Sequence, residues 1–172
     1  MQSKRLVVMA LLGLLVSGCL YTVEPADQEQ ATGEDARVTP VAERKYQDVV
    51  VGGNKLYVEV ADTMGKYQLG LSYRKEIGSD GMLFVMGGEM VPTFWMKGML
   101  MPLDFVWVGS REGKLEVVDV TENVPAPEDP ENQSQFGNYR PSGPVSFVLE
   151  VPAGWVKLNG VERGDEVEIP KK

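Results

Sequence analysis

Beyond about residue 46 the apolar residues recur with a period of two, and that period restricts the chain to a sheet. In LYVEV, Leu56, Val58 and Val60 share one face with Tyr57 and Glu59 opposite; in FVLEV, Phe147, Leu149 and Val151 share one face with Val148 and Glu150 opposite. Both are half-buried alternations. MLFVM (82–86) and FVWV (105–108) are continuous apolar runs, the pattern of strands covered on both sides. KLEVVDV (114–120) follows FVWV after a glycine-bearing GSREG, which predicts a hairpin, and DEVEI closes the chain as a short strand. Two short helices are predicted: one from Met64 to about Tyr73, capped by Asp62 or Thr63 with Met64, Tyr67 and Leu71 at helical spacing, and one over about 153–158, stopped by Asn159–Gly160. Residues 122–144 are rich in Pro, Glu and Asn without a period, a long acidic loop. The fold class is mainly β, a β-rich α+β domain: compact, closed or nearly closed, and antiparallel, with two short helices.

The N-terminal segment obeys other rules. Lys4 and Arg5 precede an apolar stretch from Leu6 to Val16, too short for a comfortable bilayer span, and Ser17–Gly18 lead into Cys19. Val16-Ser17-Gly18-Cys19 resembles the lipobox of bacterial lipoproteins, in which signal removal leaves the cysteine as a lipid-modified first residue. Residues 1–18 are thus read as a lipoprotein signal peptide and Cys19 as the lipidation site. Residues 19–45, mostly polar and without apolar periodicity, read as a disordered tether. Residues 46–172 are read as a single globular domain, enough for one core. The expected partner is a membrane, met through the acyl chains on Cys19. The expected location is the cell envelope, on the periplasmic side of the outer membrane if the source is Gram-negative, since Leu20 rather than Asp follows the cysteine.

Charge and cysteine usage narrow the function. The chain has 17 basic and 25 acidic residues; without Lys4 and Arg5 the balance is 15 against 25, about −10. So acidic a surface argues against nucleic acid, which is bound through basic patches. The single Cys, if lipidated, leaves no thiol chemistry and no disulfide.

Two constellations stand out. The stripe Met64, Tyr67, Leu71 continues to Arg74, so a guanidinium is directed toward the domain body and needs a partner. The segment FWMKGMLMPLDF (94–105), if extended, places Trp95, Lys97, Met99 and Met101 on one face and Phe94, Met96 and Leu100 on the other, with Asp104 at the entry to the next strand. Arg74, Trp95, Lys97 and Asp104 therefore admit two readings: an Arg74–Asp104 structural ion pair beside a packing Trp and a solvated Lys, or a site for a small anionic or planar ligand held by charge-assisted hydrogen bonds and stacking. The second constellation is Met82, Met86, Met90, Met96, Met99 and Met101. Thioethers can select Cu(I), which makes a copper-handling envelope protein the alternative, but no His supports the site and Met also fills cores. No cofactor or metal is assigned.

Enzyme chemistry has less behind it. The absence of His excludes a Ser-His arrangement, and no glycine-rich stretch has phosphate-loop spacing. Glu89 and Asp104 are the carboxylates considered for an envelope polysaccharide hydrolase, a further alternative. The residues favour a binding or accessory module over an enzyme.

The motifs VEVADT (58–63), GLSYR (70–74), GMLFVM (81–86), FWMKGMLMPLDFVWV (94–108), FVLEVPAGW (147–155) and GVERGDEV (160–167) together resemble the bacterial and archaeal domain of unknown function 192 family. The resemblance implies a small β-rich domain, often exported or lipid-anchored, with no established activity. The family pattern centres on the positions of Arg74, Trp95, Lys97 and Asp104. This chain departs from it in the 122–144 loop, where relatives often carry a cysteine and this sequence has none.

Overall fold

The computed structural model describes residues 44–170; the signal peptide, Cys19 and nearly all of the tether lie outside the described residues. Seven strands close into a barrel: β1 (Tyr46–Val51), β2 (Asn54–Ala61), β3 (Gly81–Met90), β4 (Leu103–Arg111), β5 (Lys114–Val124), β6 (Val145–Pro152) and β7 (Glu166–Glu168). Around the barrel they run β1-β2-β3-β6-β4-β5-β7. The predicted β-rich, closed architecture is thus the observed one. The pairings are antiparallel except for β2 with β3, which is parallel. A parallel pair needs a crossover between its strands, here the segment 62–80, which carries α1 (Met64–Leu69).

The period-two pattern divides the strands between two cores. Val49, Val51, Leu56, Val58, Leu83, Val106, Val108, Leu149 and Val151 pack together inside the barrel, with Val156 of α2 (Trp155–Asn159) and Val161 just after it added to them. The alternate residues form a second cluster on the outer face, where Met82, Phe84, Leu103, Phe105, Trp107 and Val148 meet Leu71, Ile77, Met96 and Met99 from the connections. That face is therefore dry rather than solvated, which explains the continuous apolar runs of β3 and β4. Met82, Met96 and Met99 fill it, with Met86 and Met101 packed at its edge, while Met90 is exposed.

The 122–144 segment is part of the same cover. β5 runs on to Val124, and Phe94 and Tyr139 form an isolated antiparallel bridge. Met96 N–H donates to the Phe136 carbonyl, tying the loop to the 94–101 segment.

Two local expectations need correction. α1 stops at Leu69 because Gly70 and Tyr73 both take positive φ, and Met64 is exposed rather than on a buried stripe. The 94–101 segment is not extended throughout. Gly98 takes φ +68°, and Met99 N–H donates back to the Met96 carbonyl in a turn. Trp95 and Lys97 remain together on the outside, but past the turn the alternation inverts, so that Met99 is buried and Leu100 exposed. Only glycine suits this turn, since a Cβ on residue 98 would meet the Tyr73 ring at 2.9 Å.

Candidate functional site

Strand parity determines which of the expected residues can meet. Asp104 is opposite Val151 and shares its face with Val106, so it points into the barrel interior, fully buried. Its Oδ1 accepts from Asn123 N–H at 2.7 Å and its Oδ2 from Val156 N–H at 3.0 Å. Asp104 therefore does not pair with Arg74: it ties β5 and the first turn of α2 to β4. Nor can it form a hydrolytic pair with Glu89, which is exposed at the far end of β3. Asp104→Ala should destabilise the domain by roughly 2–3 kcal/mol, because two N–H groups, that of Val156 buried and that of Asn123 partly so, lose their carboxylate acceptor; urea denaturation measures this, and Asp104→Asn should lose less.

The partner of Arg74 is Glu59. The guanidinium Nη1 and Nη2 donate to the two carboxylate oxygens at 2.7 and 3.1 Å, a bidentate pair, and Arg44 Nε approaches Glu59 at 4.0 Å. The Glu59 side chain is 5% exposed and that of Arg74 19%. The chain reversal at Gly70–Tyr73, more than helical spacing, brings Arg74 here: Tyr73 N–H donates to the Gly98 carbonyl and Ser72 Oγ to the Lys97 carbonyl.

A third buried acid, like Glu59, is one that strand alternation alone leaves on a solvated face. Glu59, Met82, Glu150 and Phe105 lie in one row across β2, β3, β6 and β4, all facing the outer cluster. Glu150 is 5% exposed, and its Oε2 has no hydrogen-bond partner. Burial pushes its carboxyl up to about 8, against a smaller opposing pull from Arg74, so it is neutral at pH 7. The signal was present in VEV (58–60) and LEV (149–151): an acid opposite the interior face of a strand is solvated only if nothing covers that face.

Glu150 forms the inner end of a recess of about 70 Å³ bounded by Leu71, Phe84, Phe94, Trp95 and Met99. Gln68, Leu69, Ser72 and Trp95 are shared with a wider outer cleft of about 330 Å³ that Tyr73 and Lys97 complete. Trp95 is 53% exposed, and Lys97 makes no ion pair among the described residues. The structure therefore brings Trp95 and Lys97 to one cleft, places Arg74 behind it through Glu59, and puts Asp104 on the other face of the sheet. Among the described residues no group of three or more His, Cys, Asp or Glu is placed to hold a metal ion.

Fold and site define a class: a small closed barrel whose outer sheet face is strapped over by its own connections, with an acid-lined recess between them. The chain belongs to the DUF192 family, described as uncharacterized ACR, whose model matches residues 48–169. Similar solved structures include two bacterial proteins. A protein of unknown function from Novosphingobium aromaticivorans DSM 12444 is 29% identical with a TM-score of 0.62, covering 76% of this chain and 89% of its own. A protein of Sinorhizobium meliloti 1021 described as a "putative transcription regulator" is 31% identical with a TM-score of 0.61, covering 73% of this chain and 95% of its own. No curated protein matches the sequence.

Proposed function

We propose that the protein is a lipid-anchored binding module of the cell envelope, held through Cys19 and presenting the Trp95 recess to a small ligand. The observation that carries the binding half is the unpartnered Glu150 oxygen at the inner end of an aromatic-walled recess: a buried polar atom without a partner is costly, and a ligand group would satisfy it. Trp95 and Lys97 supply a stacking surface and a cation without an ion pair among the described residues; Arg74 holds Glu59 in a bidentate pair nearby. The anchoring half is supported by the n-region, apolar stretch and lipobox-like ending of residues 1–19. The copper and hydrolase alternatives have less support, since the methionines at the centre of the cluster pack the outer core and Asp104 is committed to two backbone N–H groups.

Two measurements test the reading. Cells expressing the full chain should incorporate labelled palmitate, and Cys19→Ala should abolish it; unchanged labelling refutes the anchor. A fragment library screened through the Trp95 indole N–H resonance should yield ligands whose affinity, followed in both proteins through the ligands' own proton resonances, falls at least about tenfold in Trp95→Ala. A library in which nothing perturbs that resonance refutes the binding module.

A further inference from the structure

The chemistry along the cleft specifies more than a generic ligand, although any such specificity rests on the binding-module reading. The inner end is narrow and holds one carboxyl. Its 70 Å³ takes a single polar group and not a whole ring, whereas the 330 Å³ outer cleft has room for a ring against Trp95. Each feature excludes occupants. An anion at the inner end would be desolvated with no cation in the lining to receive it, since the nearby Arg74 is already paired with Glu59. An ammonium there would face the nearby Arg74 guanidinium, which is close enough to act on Glu150. A hydroxyl meets neither objection, because it both donates and accepts, as a protonated carboxyl does. At the mouth the conditions reverse: Lys97 is exposed and has no ion-pair partner among the described residues, so an anionic substituent is favoured. Trp95 and Tyr73, both half exposed on this cleft, offer flat apolar surface for the body of the ligand.

We infer that the recess binds a hydroxylated ring bearing an anionic group, the chemistry of a sugar acid, with a ring hydroxyl on Glu150, the ring face on Trp95 and the anion on Lys97. Gln68 and Ser72, which line both spaces, stand where the remaining hydroxyls of such a ring would lie. The recess admits either a free sugar acid or the terminal residue of a chain.

The test titrates the full chain, in a detergent without a sugar headgroup, with glucuronate, glucose, acetate and a disaccharide ending in glucuronate, following the Trp95 indole N–H. Glucuronate should bind at least about tenfold more tightly than glucose, and acetate should not bind. Lys97→Ala should reduce glucuronate to the level of glucose. Glu150→Leu should abolish ring binding, while Glu150→Gln, which also donates and accepts, should stay within about threefold of the parent. Equal affinity for the monomer and the disaccharide supports a free sugar acid, and a tenfold advantage for the disaccharide supports a chain end. Glucuronate binding unaffected by Lys97→Ala or Glu150→Leu overturns the assignment. So does a library whose Trp95 ligands are all unhydroxylated, although that result leaves the binding module standing. Silence of the Trp95 resonance toward every compound overturns both.

Discussion

Arg74→Ala is expected to lower stability by about 3–5 kcal/mol at pH 7, a larger loss than Asp104→Ala should cause. The effect is less the lost attraction of the pair than what remains: Glu59, whose side chain is 5% exposed, would be left buried with only Arg44 at 4.0 Å beside it. Replacing both partners with apolar or neutral residues of similar volume, as in Glu59→Gln with Arg74→Met, should therefore recover most of the loss. Lys97→Ala, at an exposed position without an ion pair among the described residues, should stay within about 0.5 kcal/mol of the parent. Urea denaturation of the three variants measures all of this. A loss below about 1 kcal/mol for Arg74→Ala would mean that Glu59 finds water once the guanidinium is gone.

Glu150→Gln should act in the opposite direction. The carboxyl has its pKa raised from 4.5 to about 8 by burial, so between those values the folded protein holds a proton that the unfolded chain has released. Stability due to this group is therefore fully present below about pH 4.5, declines by about 1.4 kcal/mol per pH unit through the window, and levels off above pH 8. Glutamine carries no such linkage. The difference between variant and parent should be near zero in acid and grow to about 3 kcal/mol in favour of the variant at pH 7. Taking the difference matters because Asp62, held below its ordinary range chiefly by a hydrogen bond from Lys45, contributes with the opposite sign at low pH in both proteins. A parallel pair of stability curves from pH 4.5 to 8 would show that Glu150 titrates as an ordinary exposed acid.

What the sequence disclosed depends on the range of each signal. Alternation acts over a few residues, so β2, β4, β5 and β6 could be read from Leu56, Phe105, Leu115 and Phe147 onward, and Thr63 and Gly160 announce the helix limits they set. Parity also placed Glu59 and Glu150 correctly opposite the interior residues. What parity cannot report is whether the opposite face is covered, and that is a matter of the crossover and of the 122–144 loop folding back through Phe136 and Tyr139. Hence two buried acids read as solvated ones. The choice of partner for Arg74 failed for a related reason. Asp104 is near in sequence to Trp95 and Lys97, but a sheet separates it from them, and the true partner lies 15 residues before Arg74 on β2. Trp95 and Lys97 survived as neighbours because the turn at Gly98 comes after them.

The seam of the barrel imposes an order of events in time. β7 pairs with both β1 and β5, so the strand that completes the ring belongs to the last residues of the chain. A ribosome or an export channel delivers the N-terminus first. Until Glu166–Glu168 arrive, β1 and β5 each present an unpaired edge, and an unpaired edge is a template for joining another chain. Closure thus waits for the last of the seven strands to emerge. A chain cut short just before Glu166 would remain a ring with a gap, made at a place where nascent neighbours are abundant.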